Sequence, residues 1–302
     1  LNEFAIYAAG DFIRFGLSYF IFTPLLSHHL TLFEYSVYAK LFSVEALLLL
    51  LMQVGFPSAA FRFYFICESE KKRRKYLGNV LIVNLAIAFV MSVSLLAFGK
   101  SLWDLWVLDV SFDSFAPLII CGTFFRVITS IALIALRAEN RPWSYVMLNV
   151  GGFALIVGLT WYLVVIWGGG VLGQVCAAFL SYCIMALVSL VLLLKKIELS
   201  DKGFLYMRDT LKFAVPILLG SLISFLYSRA NVLIIQGFVS ASSLAVFAFG
   251  ERIGHLVQMV FSSFETAWQP FFYALGIEDA REVLKKALSL SLIHISEPTR
   301  PY

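Results

Sequence analysis

Eight long apolar runs constrain this chain more than any other feature of its sequence. Each run is about as long as the roughly 20 residues that a helix needs to cross the hydrocarbon core of a bilayer. Helices satisfy their own backbone hydrogen bonds there, whereas a barrel would show short alternating segments. The sequence therefore predicts an all-α integral membrane protein with about eight transmembrane helices. The runs cover residues 4–26, 37–66, 77–98, 115–136, 143–167, 171–194, 213–238 and 244–275.

The composition agrees with a lipid environment for most of the chain. Hydrophobic residues make up 61% of the sequence and charged residues only 14%. A soluble domain has about 45–50% apolar residues and about 25% charged ones. Every connection between the runs is short, so no soluble domain is expected between them.

Basic residues between the runs predict the orientation of the chain. They concentrate in the turns after the second, fourth, sixth and eighth runs, while the opposite turns hold Lys100. By the positive-inside rule the basic turns and the N-terminus are cytoplasmic, and the chain lies in a bacterial or archaeal cytoplasmic membrane. The stretch "KKRRK" directly follows a span and is interpreted as an orientation signal near anionic lipid, not as a nucleic-acid site. The basic positions are Lys71, Lys72, Arg73, Arg74, Lys75, Arg137, Arg141, Lys195, Lys196, Lys202, Arg208, Lys212, Arg281, Lys285 and Lys286.

Polar residues inside the runs form stripes at helical spacing. Steps of three and four residues place such side chains on one helix face, and each is costly in lipid unless it faces protein or water. The pattern favours a hydrated central cavity. A structural helix–helix network is the alternative, in which serines bond their own backbone and Asp11 neutralises Arg14. The stripes contain Tyr7, Asp11, Arg14 and Ser18 in the first run, Ser221, Ser224, Ser228 and Asn231 in the seventh, and Glu251, His255, Gln258, Ser262, Glu265 and Gln269 in the eighth.

A weak internal repeat predicts how the runs are grouped. A shift of 209 positions aligns "FAI" at Phe4 with "FAV" at Phe213, and "VYA" at Val37 with "VFA" at Val246. The first two runs thus correspond to the seventh and eighth. This predicts two parallel six-helix bundles related by a pseudo-two-fold axis along the membrane normal, with substrate between them. Residues 1–200 would form the first bundle, and residues 201–289 the first two helices of a second, incomplete bundle.

Four passages of the chain carry a family resemblance: "GDFIRFGLSYFIFTPLLSHHLTLFEYSVYA", "ALRAENRP", "LKFAVPILLGSLISFLYSRANVLII" and "AWQPFFYALG". They resemble the polysaccharide flippases of the multidrug/oligosaccharidyl-lipid/polysaccharide exporter superfamily. The resemblance implies an exporter of two bundles with six or more spans each. It implies alternating-access flipping of undecaprenyl-diphosphate-linked oligosaccharide for surface polysaccharides such as O-antigen. It also implies a polysaccharide polymerase or glycosyltransferases as partners.

Charged residues of the stripes and the neighbouring spans are the candidate site. Guanidinium groups in a low-dielectric cavity suit a diphosphate, which nominates Arg14, Arg126, Arg229 and Arg252. The carboxylates and the imidazole of His255 would balance this charge, so that the substrate is not trapped, or they would carry H⁺ or Na⁺. No other cofactor and no metal are expected. The coupling candidates are Asp11, Glu45, Glu251, His255 and Glu265, and the candidates for sugar contacts are Tyr7, Ser224, Ser228, Asn231, Gln258 and Ser262.

One position departs from the resemblance. Many relatives have Asp-Arg in the seventh span where this chain has Asn231 and Val232. Ion coupling through that position is therefore left open.

Two other classes of function would require different features in the sequence. A drug/cation antiporter of the same superfamily is the alternative, and it would require an acidic cavity poor in arginine. A membrane enzyme would show a large outer loop or a cluster of histidine and carboxylates near one interface. Neither feature is present in the sequence, so no enzymatic activity is expected.

The C-terminal segment predicts an artificial end. The string "LSLIHISEPTR" at residues 290–300 resembles a translated transposase adapter from sequencing libraries. Residues 290–302 are therefore expected to be non-native, and the chain to be a fragment of a longer transporter.

Overall fold

The computed structural model describes residues 2–194, 206–255 and 285 of the chain. The described residues are 89% helical and contain no strand. The helices are α1 (Asn2–Gly16), α2 (Thr23–His29), α3 (Leu32–Gln53), α4 (Phe56–Ile66), α5 (Glu70–Phe98), α6 (Lys100–Trp106), α7 (Phe112–Ala138), α8 (Pro142–Thr160), α9 (Gly170–Leu194), α10 (Met207–Ser228), α11 (Ala230–Ile235) and α12 (Ala241–Gly254), with π-helical stretches at Leu17–Phe22 and Trp161–Ile166.

Seven helical segments of the described chain are long and apolar enough to cross a membrane, and they coincide with the first seven apolar runs. The prediction of an all-α membrane protein is confirmed. The eighth run is described only as far as His255 and contains α12. The remainder of that run, the bundle boundary near residue 200 and the tail at 290–302 lie outside the described residues. The seven segments are Ala5–His29, Leu32–Ile66, Glu70–Phe98, Phe112–Ala138, Pro142–Ile166, Gly170–Leu194 and Met207–Ser228.

Polar caps fix where two of the membrane helices begin. At the start of α3, the Thr31 hydroxyl accepts a hydrogen bond from the Glu34 amide at 3.2 Å, and the Glu34 carboxylate accepts one from the Thr31 amide at 3.0 Å. At the start of α5, the Ser69 hydroxyl accepts from the Lys72 amide at 3.3 Å. Such caps satisfy amides that have no partner within the helix. They begin these helices at Leu32 and Glu70, ahead of the apolar runs that start at residues 37 and 77.

The second membrane segment is bent between α3 and α4. Val54 and Gly55 have φ values of 49° and 72°, which ends α3 in the left-handed region. The bend is also where α10 approaches, because a Cβ atom on Gly55 would collide with the carbonyl oxygen of Ala214. A residue other than glycine would therefore be strained here both by its backbone and by its neighbour.

The seventh membrane segment is interrupted as well. Arg229, with φ of −135°, separates α10 from α11, so the run at 213–238 is two helices and not one. Side chains bond to backbone carbonyls around the break, from Ser228 to Ser224 at 2.7 Å and from Asn231 to Tyr227 at 3.2 Å. Such local bonds compete with regular helical geometry.

Helix packing leaves an open space beside the second segment. Helix α7 packs against α3, α5 and α9, while α8 packs against α1 and α9. Helices α10, α11 and α12 pack against α3, and α10 also packs against α4. The second segment is thus shared between the first six membrane segments and the later helices. A cavity forms where α1, α3, α7, α8 and α9 face Arg229 and α12.

Candidate functional site

The cavity has a volume of about 430 Å³ and is lined by both polar and aromatic side chains. Five of the first six membrane segments contribute to its wall, together with Arg229, Arg252 and His255 from the later helices. Helix α5 contributes no lining residue within the described chain. A cavity of this size can hold a drug-sized ligand or part of a larger one.

All four predicted arginines line this one cavity. Arg14 comes from α1, Arg126 from α7, Arg229 from the break before α11, and Arg252 from α12. Glu45 is the single carboxylate of the lining within the described residues. The structure therefore brings together charged residues that are up to 238 positions apart in the sequence. Four guanidinium groups against one carboxylate make the described part of the cavity strongly cationic.

Arg126 is held by a carboxylate and an aromatic ring. Its Nη1 donates to Glu45 Oε1 at 2.7 Å, across the contact between α7 and α3. The guanidinium also lies over the ring of Tyr182, 5.4 Å from the ring centre. This pair joins one arginine candidate to one coupling candidate at the cavity wall.

Arg252 connects α12 to the first two membrane segments. Its Nη1 donates to the Tyr38 hydroxyl at 2.8 Å, and its Nη2 donates to the Ser18 hydroxyl at 3.3 Å. The guanidinium also contacts the ring of Phe22, with 5.5 Å to its centre. Both hydroxyl partners are neutral, so the arginine keeps its full positive charge beside the cavity.

Arg14 and Arg229 lie against aromatic rings. Arg14 is 5.7 Å from the centre of the Phe153 ring, and Arg229 is 4.8 Å from that of Phe42. Such a contact uses the flat face of the guanidinium and leaves its N–H groups at the edge for a ligand.

Tyr7 and Asp11 contact α8 and do not line the cavity. Asp11 Oδ1 accepts hydrogen bonds from Asn149 Nδ2 at 2.8 Å and from the Tyr145 hydroxyl at 3.2 Å. Tyr7 is buried and packs edge-to-face on Tyr145, with 5.2 Å between ring centres. The first half of the polar stripe on α1 therefore joins two helices, and its second half, with Arg14, faces the cavity. Roles for Tyr7 and Asp11 in binding or coupling stay predictions.

The predicted polar residues of the seventh segment also lie outside the cavity lining. The Ser224 and Ser228 hydroxyls donate to the Gly220 and Ser224 carbonyls of their own helix, at 3.1 and 2.7 Å. Asn231 donates to Glu251 at 3.3 Å, so these two candidates form a contact between α11 and α12. Their roles in binding and coupling stay predictions. Gln258, Ser262 and Glu265 lie outside the described residues.

Two buried polar atoms at the cavity wall make no hydrogen bond within the described chain. They are Nε2 of His255, a predicted residue, and the hydroxyl of Thr129 on α7. Buried polar atoms normally have partners, so both are available to a ligand or to water. The described residues contain no group of three or more His, Cys, Asp or Glu placed to hold a metal ion.

Several lining residues were missed by the sequence analysis. Those with polar side chains come from the first, second, fourth, fifth and sixth segments. A signal existed in the sixth segment, where Gln174, Ala178, Tyr182 and Met185 follow at steps of four and three and all line the cavity. The missed polar lining residues are Tyr19, Gln53, Thr129, Ser130, Tyr145, Asn149, Gln174 and Tyr182.

Known proteins resemble the chain at two levels. Residues 1–275 match the family described as "Polysaccharide biosynthesis protein". No curated protein sequence is significantly similar to the chain.

Solved structures of the MOP superfamily share the fold. A MOP-superfamily transporter from Pyrococcus furiosus, described as having a binding pocket of reverse polarity, superposes with a TM-score of 0.73 at 17% identity, covering 96% of this chain and 69% of that one. An outward-facing MATE-family multidrug resistance transporter gives 0.69 at 17% identity, with coverage of 96% and 69%. A MATE protein in complex with Br-NRF gives 0.70 at 18% identity, with coverage of 96% and 72%. The helices described above therefore have the fold of MOP-superfamily transporters.

Proposed function

The chain belongs to the polysaccharide biosynthesis protein family, and from that premise we propose that it flips a lipid-linked oligosaccharide, carried on undecaprenyl diphosphate, across the cytoplasmic membrane. The observation that carries this proposal is the convergence of Arg14, Arg126, Arg229 and Arg252 on one intramembrane cavity. The flippase alternates access between the two leaflets and supplies the biosynthesis of surface polysaccharide.

The charge of the cavity suits a diphosphate. At 4 Å, two opposite unit charges attract by about 4 kcal/mol at an effective dielectric constant near 20, against about 1 kcal/mol in water. Guanidinium groups also bind phosphate oxygens through two parallel hydrogen bonds. A diphosphate that enters the cavity thus exchanges its hydration for donors already present in the cavity lining.

The neutral part of the lining suits a sugar. Tyr38, Phe42 and Phe153 present aromatic rings, and Gln53 and Gln174 present amides that can donate to and accept from hydroxyl groups. The Thr129 hydroxyl and His255 Nε2 add polar atoms without a partner in the described chain. These groups would contact the sugars next to the diphosphate, while the polyprenyl chain stays in lipid.

Orientation, coupling and partners belong to the same proposal. The protein is a multi-pass membrane protein, and we place its N-terminus in the cytoplasm. Asp11, Glu45, Glu251 and His255 are the described candidates for coupling to H⁺ or Na⁺. The glycan would be received from glycosyltransferases and passed to a polysaccharide polymerase.

A drug/cation antiporter is the less favoured function. Four guanidinium groups and one carboxylate line the described part of the cavity. Such a lining repels organic cations, because their charge would be buried next to uncompensated positive charge.

Single Arg→Gln substitutions at the four arginines test the proposal. In proteoliposomes, each variant should lower the flux of a fluorescent lipid-diphosphate disaccharide by about tenfold or more, since each loses a charge-assisted contact worth about 1.5–3 kcal/mol. Arg74→Gln is the matched control, because Arg74 lies at the exposed start of α5 and pairs with Glu70 at 3.4 Å. Unchanged flux in all four variants, or transport of an organic cation instead, would contradict the proposal.

A further inference from the structure

We propose that the carboxylate of Glu45 competes with the substrate diphosphate for Arg126 and thereby limits how tightly the cavity holds its ligand. The inference rests on the proposed function and assigns a regulating role to one pair within the site.

The geometry places the competitor where the ligand would bind. Glu45 and Arg126 both line the cavity, and their Oε1 and Nη1 atoms are 2.7 Å apart. The Arg126 guanidinium also rests on the Tyr182 ring. It therefore remains at the cavity wall when Glu45 turns away, so a phosphate oxygen can replace the carboxylate without moving the arginine.

The other acidic candidates of the described chain are engaged elsewhere. Asp11 accepts hydrogen bonds from Tyr145 and Asn149, and Glu251 accepts one from Asn231. Neither belongs to the lining of the cavity. Glu45 is thus the described carboxylate that a diphosphate in the cavity would meet directly.

The competition matters because a flippase must release what it binds. Four unopposed guanidinium groups around a diphosphate would give tight binding and slow release. When the diphosphate leaves, the carboxylate can bind one guanidinium again. This new contact lowers the barrier to release. It stabilises the empty cavity at the expense of the loaded one, which is a population shift by differential contacts.

This role predicts a gain of affinity when a charge is removed. Glu45→Gln keeps the size and an acceptor for Arg126 but removes the negative charge. The diphosphate should then bind about tenfold more tightly, which is the expected scale for one close charge pair, and turnover should fall as release slows. A damaged fold lowers affinity, so the sign of the change separates this role from a structural one.

The experiment measures binding to the purified full chain in lipid nanodiscs by isothermal titration calorimetry. Inorganic pyrophosphate and farnesyl diphosphate are the two probes. Both carry the diphosphate, so Glu45→Gln should bind each of them about tenfold more tightly than the wild type does. Tighter binding of farnesyl diphosphate than of pyrophosphate assigns the natural ligand to lipid, and the reverse order assigns it to free diphosphate.

Three variants serve as controls. Glu68→Gln makes the same change on a side chain that is 80% exposed and pairs with Lys72 on the surface, so both affinities should stay unchanged. Arg126→Gln should weaken binding, and adding Glu45→Gln to it should restore little, because the two residues act on one contact. Glu45→Met, which also removes the charge at similar length, takes the place of Glu45→Gln if that variant unfolds.

The outcomes separate this inference from the proposed function. Binding of both probes by the wild type, with no gain from Glu45→Gln or Glu45→Met, overturns the competitor role and leaves the diphosphate site standing. Failure of the wild type to bind either probe overturns the diphosphate site and the competitor role together.

Discussion

Asn84 is a single buried polar side chain that holds the end of α3 next to the cavity lining. It is fully buried on α5, and its Nδ2 donates to the carbonyl oxygens of Met52 at 2.7 Å and Gln53 at 3.4 Å. The last carbonyls of a helix lack partners within that helix. Asn84 therefore satisfies the end of α3 at the bend, next to Gln53 of the cavity lining.

Asn84→Ala should lower the stability of the protein by about 1–3 kcal/mol, because it leaves buried carbonyl oxygens without a donor. Ser92→Ala on the same helix is the control. The Ser92 hydroxyl is buried but donates to Ala88 of its own helix at 2.8 Å, so its removal leaves no new partner unsatisfied outside α5. Thermal unfolding in detergent compares the two variants, and equal midpoints would show that Asn84 does not hold the bend.

Sequence patterns identified polar helix faces, but not which side chains of a face line the cavity. Arg14 and Asp11 belong to one stripe on α1, yet Arg14 faces the cavity and Asp11 faces α8. The difference arises from Tyr145 and Asn149, which cover the first part of the stripe. Helical spacing identifies a polar face, but it does not specify which neighbouring helix covers each turn of that face.

At the scale of elements, the apolar runs predicted membrane segments well and helix bends poorly. The run at 37–66 stays apolar through Val54 and Gly55, so hydropathy alone gives one helix there. The sequence "GFP" at 55–57 is a signal for a bend, because glycine and proline interrupt regular helices. The interruption at Arg229 was harder to predict, since it depends on the local bonds of Ser228 and Asn231.

One contact between distant elements ties α11 to the segment after α6. The Gln236 amide donates to the Trp106 carbonyl at 2.6 Å and accepts from the Leu108 amide at 3.2 Å. Lys40 of α3 is buried and donates to the Leu108 carbonyl at 2.8 Å. Side chains from two elements therefore hold both backbone groups of Leu108.

Gln236→Ala should speed hydrogen–deuterium exchange at the Leu108 amide by about five- to tenfold, because one hydrogen bond contributes about 1 kcal/mol to local stability. Mass spectrometry of the peptide that contains residue 108 measures the rate. Ser240→Ala is the control, since the Ser240 hydroxyl caps α12 by accepting from the Ser243 amide at 3.2 Å. Similar exchange in both variants would show that Gln236 does not hold the segment.

At the scale of the whole molecule, the fold could be assigned from the sequence more fully than the grouping of helices could. The chain covers 69% of the Pyrococcus furiosus transporter and superposes on it with a TM-score of 0.73. The division into bundles at residues 1–200 and 201–289 stays a prediction. It depends on a weak sequence repeat, and residues 195–205, where the division falls, lie outside the described residues.

The uneven distribution of basic residues between the connections predicts the orientation of the protein in its membrane. Glu68 lies next to the basic start of α5, at one end of the third membrane segment. Ser101 of α6 lies beyond the other end of that segment. The side chains of Glu68 and Ser101 are both exposed. In a variant without the native cysteines, a membrane-impermeant maleimide added to intact cells should label Ser101→Cys, and should label Glu68→Cys only after permeabilisation. This follows because basic connections are retained on the cytoplasmic side. The reverse pattern would place the N-terminus outside. The substrate would then cross a protein whose orientation is opposite to the one proposed. The lysines and arginines of these connections would also not be what sets the orientation.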